Sequence, residues 1–156
     1  MALNIGDKAP DFSLQSDQDQ TVSLASLRGK KIVLYFYPKD NTPGCTREAC
    51  DFRDNLSHFE NSKTIILGVS KDSPAKHRQF KAKYNLTFPL LADESGDVCQ
   101  AYSVINKKSL FGNTFLGIQR STFLIDEEGI IRAIWRKVKV NGHIEEVLSE
   151  TGVTKK

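Results

Sequence analysis

Two apolar runs dominate the first half of the chain, one over residues 31–37 and the other over residues 64–70. Uninterrupted runs of this length, rich in β-branched and aromatic residues, are typical of strands that are covered on both faces of a sheet. Between the runs, apolar residues recur at alternating steps of four and three, which predicts a helix. They are Cys45, Ala49, Phe52, Leu56 and Phe59. Strand, helix and strand in this order indicate an α/β protein.

The remaining patterns are shorter. A polar capping residue before Pro74 is typical of a helix start, so a helix is predicted from there to about Tyr84. Further predicted elements are strands at 11–14, 21–24, 88–91, 120–126 and 130–138, a short helix over 95–102, a loop over 106–117, and a last helix capped by Asn141. No repeat or linker interrupts residues 1–156, so we expect a single domain with a central mixed β-sheet flanked by helices.

Composition and charge narrow the function classes. The 156 residues carry 22 basic and 19 acidic side chains, and the net charge of +3 is spread along the chain, which argues against a nucleic-acid partner. No run approaches the ~20 apolar residues of a membrane span. The first residues lack the pattern of a signal peptide, so the expected location is the cytoplasm. Thiols there are kept reduced, and an odd number of cysteines, three, argues against a disulfide framework.

Cys45 stands in the first turn of the predicted helix, just after a buried strand. With Thr42 as the N-cap, Pro43 takes the first helical position and Cys45 the third. Unpaired backbone N–H groups and the positive end of the helix dipole favour the thiolate there, and the thiolate is the nucleophile. The Thr42 hydroxyl could accept a backbone hydrogen bond or face a ligand, and Gly44 leaves one flank of the sulfur open. The alternative is a good helix start with an inert, buried Cys45.

Cys50 follows Cys45 by five residues. In a regular α-helix this spacing gives a rise of ~7.5 Å and a rotation of ~140°, so the two sulfurs point to different sides. Their Cα atoms then lie beyond the ~7 Å limit for a disulfide, and a bridge requires the first helical turns to unwind. The pair suits a redox cycle between a wound and an unwound state. The alternative is that Cys50 is an inert helical residue.

The other candidate residues are less specific. Cys99 stands alone in a short predicted helix, where it is expected to pack in the core. His58, His77 and His143 stand alone in helices predicted at the surface, which disfavours a Cys–His hydrolase. The chain has no Cys-x-x-Cys or His-x-x-x-His pair, so no metal site is expected. Arg120 begins an apolar strand, where it is either solvated or the cation that stabilises a thiolate.

Residues 38–45 read P-K-D-N-T-P-G-C, which resembles the P-x-x-x-T/S-x-x-C signature of the peroxiredoxins. The continuation over residues 46–50, T-R-E-A-C, is similar to the bacterioferritin comigratory protein, or peroxiredoxin Q, subfamily. The resemblance covers nearly the whole chain, including residues 6–12, 35–38, 68–70, 90–93 and 120–126. It implies a thioredoxin-like fold and a thiol-dependent peroxidase for hydrogen peroxide and organic hydroperoxides, without metal or organic cofactor.

The resemblance also implies a redox cycle. Cys45 corresponds to the peroxidatic cysteine, which becomes a sulfenic acid. Cys50 corresponds to the resolving cysteine of those relatives with a C-x-x-x-x-C pair, and thioredoxin or a similar dithiol would reduce the resulting disulfide. Some relatives resolve through a cysteine in the following helix, where this chain has none, and others lack a resolving cysteine altogether. Subfamily members are often monomers, and the same state is expected here.

The implied peroxide pocket involves five further residues. By analogy Pro38 shields the pocket, Thr42 hydrogen-bonds the peroxide, and Arg120 activates both thiolate and substrate. Glu48 is expected to hold an arginine, and Gly44 to line the pocket. Whether small or apolar peroxides are preferred stays open, because the apolar residues of the late loop are expected to pack in the core rather than line a pocket. These are Phe111, Phe115 and Leu116.

Three rival functions remain on the sequence alone. A disulfide oxidoreductase is expected to have Cys-x-x-Cys at the helix start, whereas Glu48 occupies the fourth position here. A redox sensor or chaperone would use Cys45 to regulate a partner protein. A metal-binding module would bring the cysteines together around an ion.

Overall fold

A computed structural model describes residues 3–151 and shows a seven-stranded mixed sheet with the strand order β2-β1-β5-β4-β3-β8-β9. The strands are β1 (Ser13–Ser16), β2 (Thr21–Ser23), β3 (Lys31–Phe36), β4 (Thr64–Ser70), β5 (Leu90–Ala92), β6 (Ile105–Leu110), β7 (Asn113–Ile118), β8 (Ser121–Ile125) and β9 (Ile131–Arg136). The helices are α1 (Pro43–Asp54), α2 (Leu56–Asn61), α3 (Pro74–Tyr84), α4 (Asp97–Ala101) and α5 (His143–Glu150). Strands β3, β4 and β5 are parallel, and β1, β2, β8 and β9 pair antiparallel. The predicted central mixed sheet is therefore confirmed.

Strand β3 lies inside the sheet, between β4 and β8, and its side chains contribute to two cores. Its alternate side chains point to opposite faces, as the pleat of a strand requires. Val33 and Tyr35 join the core that includes the buried residues of α1, α3 and α5, while Leu34 and Phe36 join the core that includes α4. This two-sided burial explains why residues 32–37 are apolar throughout, whereas Lys31 at the start of the strand is only partly buried. None of the described helices is both long and apolar enough to span a bilayer.

Gly68 in β4 allows Tyr35 to lie flat against the sheet. A Cβ atom at Gly68 would stand 2.9 Å from the Tyr35 hydroxyl, closer than carbon and oxygen tolerate. The Tyr35 ring stacks on Phe52 of α1, with 4.6 Å between the ring centroids. The missing side chain on β4 therefore helps to set the position of α1 over the sheet.

The helical stripe that begins at Cys45 is divided between two helices. Helix α1 ends at Asp54, and Asn55 leaves the helical conformation with φ −111° and ψ 11° before α2 begins. The Asn55 side-chain amide donates to the carbonyl of Asp51, a local bond by which asparagine competes with the helical ladder. The predicted apolar face is buried, but its continuity as one helix was wrong.

Residues 106–117, predicted as a loop, form an antiparallel hairpin of β6 and β7 instead. Leu110 pairs with Asn113, which leaves a two-residue turn in which Phe111 has φ 51° and Gly112 has φ 81°. Positive φ at both positions is the type I′ geometry that matches the twist of a hairpin. Phe111 is 94% exposed, and Phe115 and Leu116 are exposed as well, so the expected burial of these residues in the core was also wrong.

The N-termini of α3 and α5 test the predicted capping residues. Ser73 caps α3 as predicted, and its hydroxyl accepts a hydrogen bond from the backbone of Lys76. Gly142, with φ 84°, is the N-cap of α5, so Asn141 does not cap that helix. The Asn141 side chain instead accepts from Arg47 on α1 at 3.4 Å, a long-range contact that no local pattern could indicate.

Candidate active site

The sheet topology brings two distant segments to one edge of the molecule. Strand β3 runs into a loop over residues 37–42, which includes the half-buried Pro38, and this loop leads directly into α1. Strand β8 is antiparallel to β3, and its first residue, Ser121, pairs with Phe36 at the end of β3. Arg120 immediately precedes Ser121, so it lies beside the start of α1 although 75 residues separate it from Cys45.

The start of α1 has the predicted order of positions. Thr42 is the N-cap, with φ −94° and ψ 155°, Pro43 is the first helical residue and Cys45 is the third. The side chain of Thr42 makes no capping bond; its hydroxyl donates to the carbonyl of Lys39 at 2.9 Å. Of the two alternatives for this hydroxyl, the hydrogen bond from the helix backbone is therefore not formed. Because the hydroxyl proton is used locally, the oxygen lone pairs remain the group that Thr42 can offer to a ligand.

Arg120 contacts the sulfur of Cys45 directly. Its Nη2 lies 3.3 Å from Cys45 Sγ, and Cys45 is only 2% exposed. A Cβ atom at Gly44 would stand 3.0 Å from the same Nη2. The flank that the sequence indicated as open beside Gly44 is thus occupied by the guanidinium, and a Cβ atom at this position would press against it.

Glu48 holds the other side of the guanidinium. Arg120 Nη1 donates to Glu48 Oε1 at 2.7 Å, and Glu48 is 2% exposed. Burial raises the pKa of Glu48 to about 7, although the Arg120 charge acts in the opposite direction. Within residues 3–151, Glu48 Oε2 has no hydrogen-bond partner. Burial also lowers the pKa of Arg120, but Glu48 and Cys45 more than offset this, so Arg120 remains a cation.

The shifted Glu48 pKa predicts a pH dependence of stability. Folding raises this pKa from 4.5 to about 7, so the folded protein holds the Glu48 proton more tightly than the unfolded chain does. The stabilising contribution of protonated Glu48 is present below the unfolded pKa and is lost as the pH rises through the folded pKa. As the pH rises from about 5 to about 8, wild type loses this contribution and Glu48→Gln does not. The free energy of unfolding of Glu48→Gln minus that of wild type should therefore increase by on the order of 2–3 kcal/mol over this range. Urea unfolding of reduced protein measures this difference, and parallel curves for the two proteins would contradict it.

Lys108 is a charged residue near the site that the sequence did not single out. It lies on β6, and burial and Arg120 lower its pKa while Cys45 acts in the opposite direction. Its aliphatic stem packs beside Gly117, where a Cβ would stand 3.0 Å away. A predicted hairpin would have given alternating faces for β6, but Phe111 is not a typical residue of a type I′ turn, so the local sequence did not indicate one.

Cys50 and Cys99 differ sharply in their surroundings. Cys50 is partly exposed on α1, in the same helix as Cys45, and burial raises the pKa of its thiol. Cys99 is fully buried in the core on the opposite face of the sheet from Cys45, with its thiol pKa raised by burial and by Asp93. All three cysteines are unpaired. Among residues 3–151 no cluster of His, Cys, Asp or Glu could hold a metal ion.

Two histidines predicted at the surface are buried. The ring nitrogens of His77 face Asp40 and the carbonyl of Leu91, and those of His143 face Thr122 and Glu146. A buried imidazole needs such polar partners, and all of these except Glu146, which lies on the same helix as His143, come from distant segments. The hydrogen bond found to Cys45 Sγ comes from Arg120, and among residues 3–151 none of His58, His77 and His143 forms the Cys–His pair of a hydrolase.

Comparisons with known proteins agree with this geometry. Residues 5–134 match the model of the AhpC/TSA family. The chain is 53% identical over 148 residues to peroxiredoxin Bcp of Bacillus subtilis strain 168, covering 95% of this chain and 94% of that protein. The solved structure of the Xanthomonas campestris bacterioferritin comigratory protein superposes with a TM-score of 0.87 at 42% identity, covering 90% of both chains. PrxQ from Xylella fastidiosa superposes with a TM-score of 0.92 at 40% identity, covering 97% of both. The chain therefore has the thioredoxin-like peroxiredoxin fold and belongs to the AhpC/TSA family, as a peroxiredoxin of the Bcp or peroxiredoxin Q type.

Proposed function

We propose that Cys45 is the peroxidatic cysteine of a peroxidase that reduces hydrogen peroxide and organic hydroperoxides. The observation that carries the proposal is the guanidinium of Arg120, 3.3 Å from the Cys45 sulfur at the N-terminal turn of α1. A cation and a helix start both stabilise a thiolate. The related Xanthomonas campestris protein is described as reducing alkyl peroxides, which supports the same substrate class here.

The first step oxidises the sulfur and reduces the peroxide. The Cys45 thiolate attacks the terminal oxygen of the peroxide, the one bonded to hydrogen. An S–O bond forms and the O–O bond breaks. Cys45 becomes a sulfenic acid, and the alkoxide or hydroxide that leaves takes a proton from water. Arg120 stabilises the negative charge that moves from sulfur to oxygen, and a lone pair of the Thr42 hydroxyl accepts a hydrogen bond from the peroxide O–H.

The second step joins Cys45 to Cys50. Cys50 loses its proton, its thiolate attacks the sulfenic sulfur, hydroxide leaves and is protonated to water, and an intramolecular disulfide forms. Because both cysteines lie in the unbroken helix α1, the first turns of that helix unwind before the sulfurs can meet. Thioredoxin or a similar dithiol then reduces the disulfide through a mixed disulfide and is itself oxidised.

The remaining properties follow from the same site. We propose that residues 1–156 form a single domain that acts as a monomer, because Cys45, Arg120 and Glu48 all come from one chain. Residues 1–2 and 152–156 lie outside the described residues. Three unpaired cysteines fit a reducing compartment, so we place the enzyme in the cytoplasm. The proposed cycle uses sulfur alone and requires no cofactor.

Peptide mass spectrometry after one equivalent of hydrogen peroxide tests the proposal. The expected product is a Cys45–Cys50 disulfide with Cys99 still reduced. A stable sulfenic acid on Cys45 would keep the peroxidase but assign its resolution to an external thiol. Absence of rapid oxidation at Cys45 would contradict the proposal. Oxidation without turnover by dithiol, followed by binding to another protein, would favour a redox sensor.

Removal of the guanidinium should slow the first step specifically. Arg120→Ala is expected to lower the second-order rate of Cys45 oxidation by about 10²–10³-fold, the usual effect of losing one donor to a developing charge. The variant also leaves Glu48 buried without its cation, so Arg120→Ala/Glu48→Gln serves as a control for that loss. Stopped-flow oxidation by hydrogen peroxide measures both. An unchanged rate in the double variant would remove Arg120 from the mechanism.

A further inference from the structure

The loop over residues 37–42 is held from several sides through one buried carboxylate. Asp40 Oδ1 accepts a hydrogen bond from the Tyr37 hydroxyl at 2.5 Å, and Asp40 Oδ2 lies 2.6 Å from Nδ1 of His77 on α3. The backbone N–H of Asp40 donates to Asp72 at 2.8 Å. Tyr37, Asp40 and His77 are all buried, and we call these three residues the loop clamp.

The hydrogen-bond pattern fixes the number of protons in the clamp. Nε2 of His77 lies 2.9 Å from the carbonyl of Leu91, which can only accept, so Nε2 carries a hydrogen. A second proton lies between His77 Nδ1 and Asp40 Oδ2, since two lone pairs at 2.6 Å would repel. Every polar atom of the His77 and Asp40 side chains then has a partner. Such a completed buried network is rigid, and it is costly to open.

Packing does not fill the contact between the loop and α3. A cleft of about 300 Å³ lies between the loop and α3, and Asp40 lines it together with Lys76 and Phe80. Asn41 adds a second attachment, because its side-chain oxygen accepts from Lys83 and Tyr84 at 3.2 and 3.3 Å. These last bonds are exposed to solvent, so the buried clamp is the stronger connection between the loop and α3.

The loop clamp is joined by a short stretch of backbone to the helix turn that contains Cys45. Thr42, the N-cap of α1, lies two residues after Asp40, and its carbonyl accepts the helical bond from Thr46 at 2.8 Å. Fixing Asp40 therefore fixes the first turn of the helix that contains Cys45. The same loop carries Pro38, immediately after Tyr37.

We propose that Tyr37, Asp40 and His77 are positioning residues that divide the catalytic cycle between its two conformations. The clamp holds the wound helix start and the loop for peroxide attack, and it opposes the unwinding that closure of the Cys45–Cys50 disulfide needs. This inference rests on the proposed function. The clamp also sets the fate of the sulfenic acid. When closure of the disulfide is slow, a second peroxide has time to oxidise the sulfenate to a sulfinate and is itself reduced to water or an alcohol.

Four variants separate this role from a general loss of stability. Asp40→Ala removes the clamp, and Tyr37→Phe removes a single hydroxyl from it without changing the ring. Asp40→Asn keeps every bond, because its amide oxygen accepts from Tyr37 and its amide nitrogen donates to a neutral His77. Ile125→Val weakens the core on the opposite face of the sheet and serves as the control for stability.

Quenched-flow mass spectrometry at matched hydrogen peroxide measures Cys45 oxidation, disulfide closure and the sulfinic fraction in each variant. Asp40→Ala is expected to slow oxidation at least about tenfold, because the pocket is no longer held in place. It should also speed closure about threefold and lower the sulfinic fraction, because the unwound state is more populated. Tyr37→Phe should shift both rates in the same directions by less, while Asp40→Asn and Ile125→Val stay near wild type.

The split between the two rates decides the inference. If Cys45 oxidation and disulfide closure both slow in Asp40→Ala and Tyr37→Phe, or if neither rate changes, the inference is overturned. It is also overturned if Asp40→Asn behaves like Asp40→Ala. If wild-type protein forms no Cys45–Cys50 disulfide, the proposed resolving step is contradicted. The part of the inference in which the clamp opposes disulfide closure is then contradicted as well. The oxidation rates of the same variants would still decide whether the clamp holds the peroxide pocket.

Discussion

Cys45→Ser should reduce peroxidase turnover with hydrogen peroxide and thioredoxin to the background rate of the reductant alone. Serine has nearly the size of cysteine and fits the same 2% exposed position, so the fold should persist. Its hydroxyl is not ionised at neutral pH, however, and Arg120 at 3.3 Å from the sulfur would have no anion to activate. Reductant consumption in a coupled assay, with circular dichroism as a check on folding, measures the effect.

Cys99→Ser is the matched control for that experiment. Cys99 is as well buried as Cys45 but lies in the core on the other face of the sheet. Burying a hydroxyl there should lower the free energy of unfolding by about 1–3 kcal/mol while turnover stays near wild type. Turnover retained in Cys45→Ser and lost in Cys99→Ser would reverse the assignment of the peroxidatic cysteine.

The parts of the site that the sequence predicted correctly are those that depend on neighbouring residues. The apolar run of β3 and the Thr42-Pro43 pair place a strand end and a helix start a few residues apart, and Cys45 follows as the third helical residue. Both signals are local, because capping and two-sided burial depend on residue type at fixed short spacings. The position of Cys45 at the helix start was therefore predictable before any tertiary contact was known.

The contacts around that thiol depend on the register of the sheet instead. Nothing near Gly44 indicates that its missing side chain makes room for the guanidinium of Arg120. That approach follows from the pairing of β8 with β3, which a hydrophobic pattern does not specify to the residue. The same holds for His77, whose burial depends on a carboxylate from a loop 37 residues earlier in the chain.

The hairpin of β6 and β7 was missed for a different reason. Its exposed residues give no clean alternation of apolar and polar positions, and Phe111 is a bulky residue at positive φ, where asparagine or glycine is usual. Residue propensity therefore favoured a loop over residues 106–117, and neither β6 nor β7 was predicted. The turn geometry overrides that propensity, and it places Lys108 close enough to Cys45 and Arg120 for their charges to shift its pKa.

Cys50→Ser should leave the first oxidation of Cys45 fast and stop cycling by thioredoxin. Cys50 is partly exposed on the second turn of α1, so the substitution should change stability little. Without a second thiol in reach, the sulfenic acid persists and excess peroxide converts it to a sulfinic acid. Burst-phase stopped flow and intact mass measure these steps. The double variant Cys50→Ser/Cys99→Ser tests for an alternative resolving thiol, and cycling that survives in both would assign that role to an external thiol.

The pH dependence of closure in wild-type protein supplies an independent check on Cys50. Burial raises the pKa of its thiol, and the neighbouring Asp54 and Asp51 add to the effect while Arg53 opposes it. The Cys50 thiolate is the attacking species, so the rate of disulfide formation should climb with pH across the neutral range. A closure rate independent of pH would mean that unwinding of α1, rather than attack by Cys50, limits the step. Closure that persists in Cys50→Ser would exclude Cys50 from it altogether.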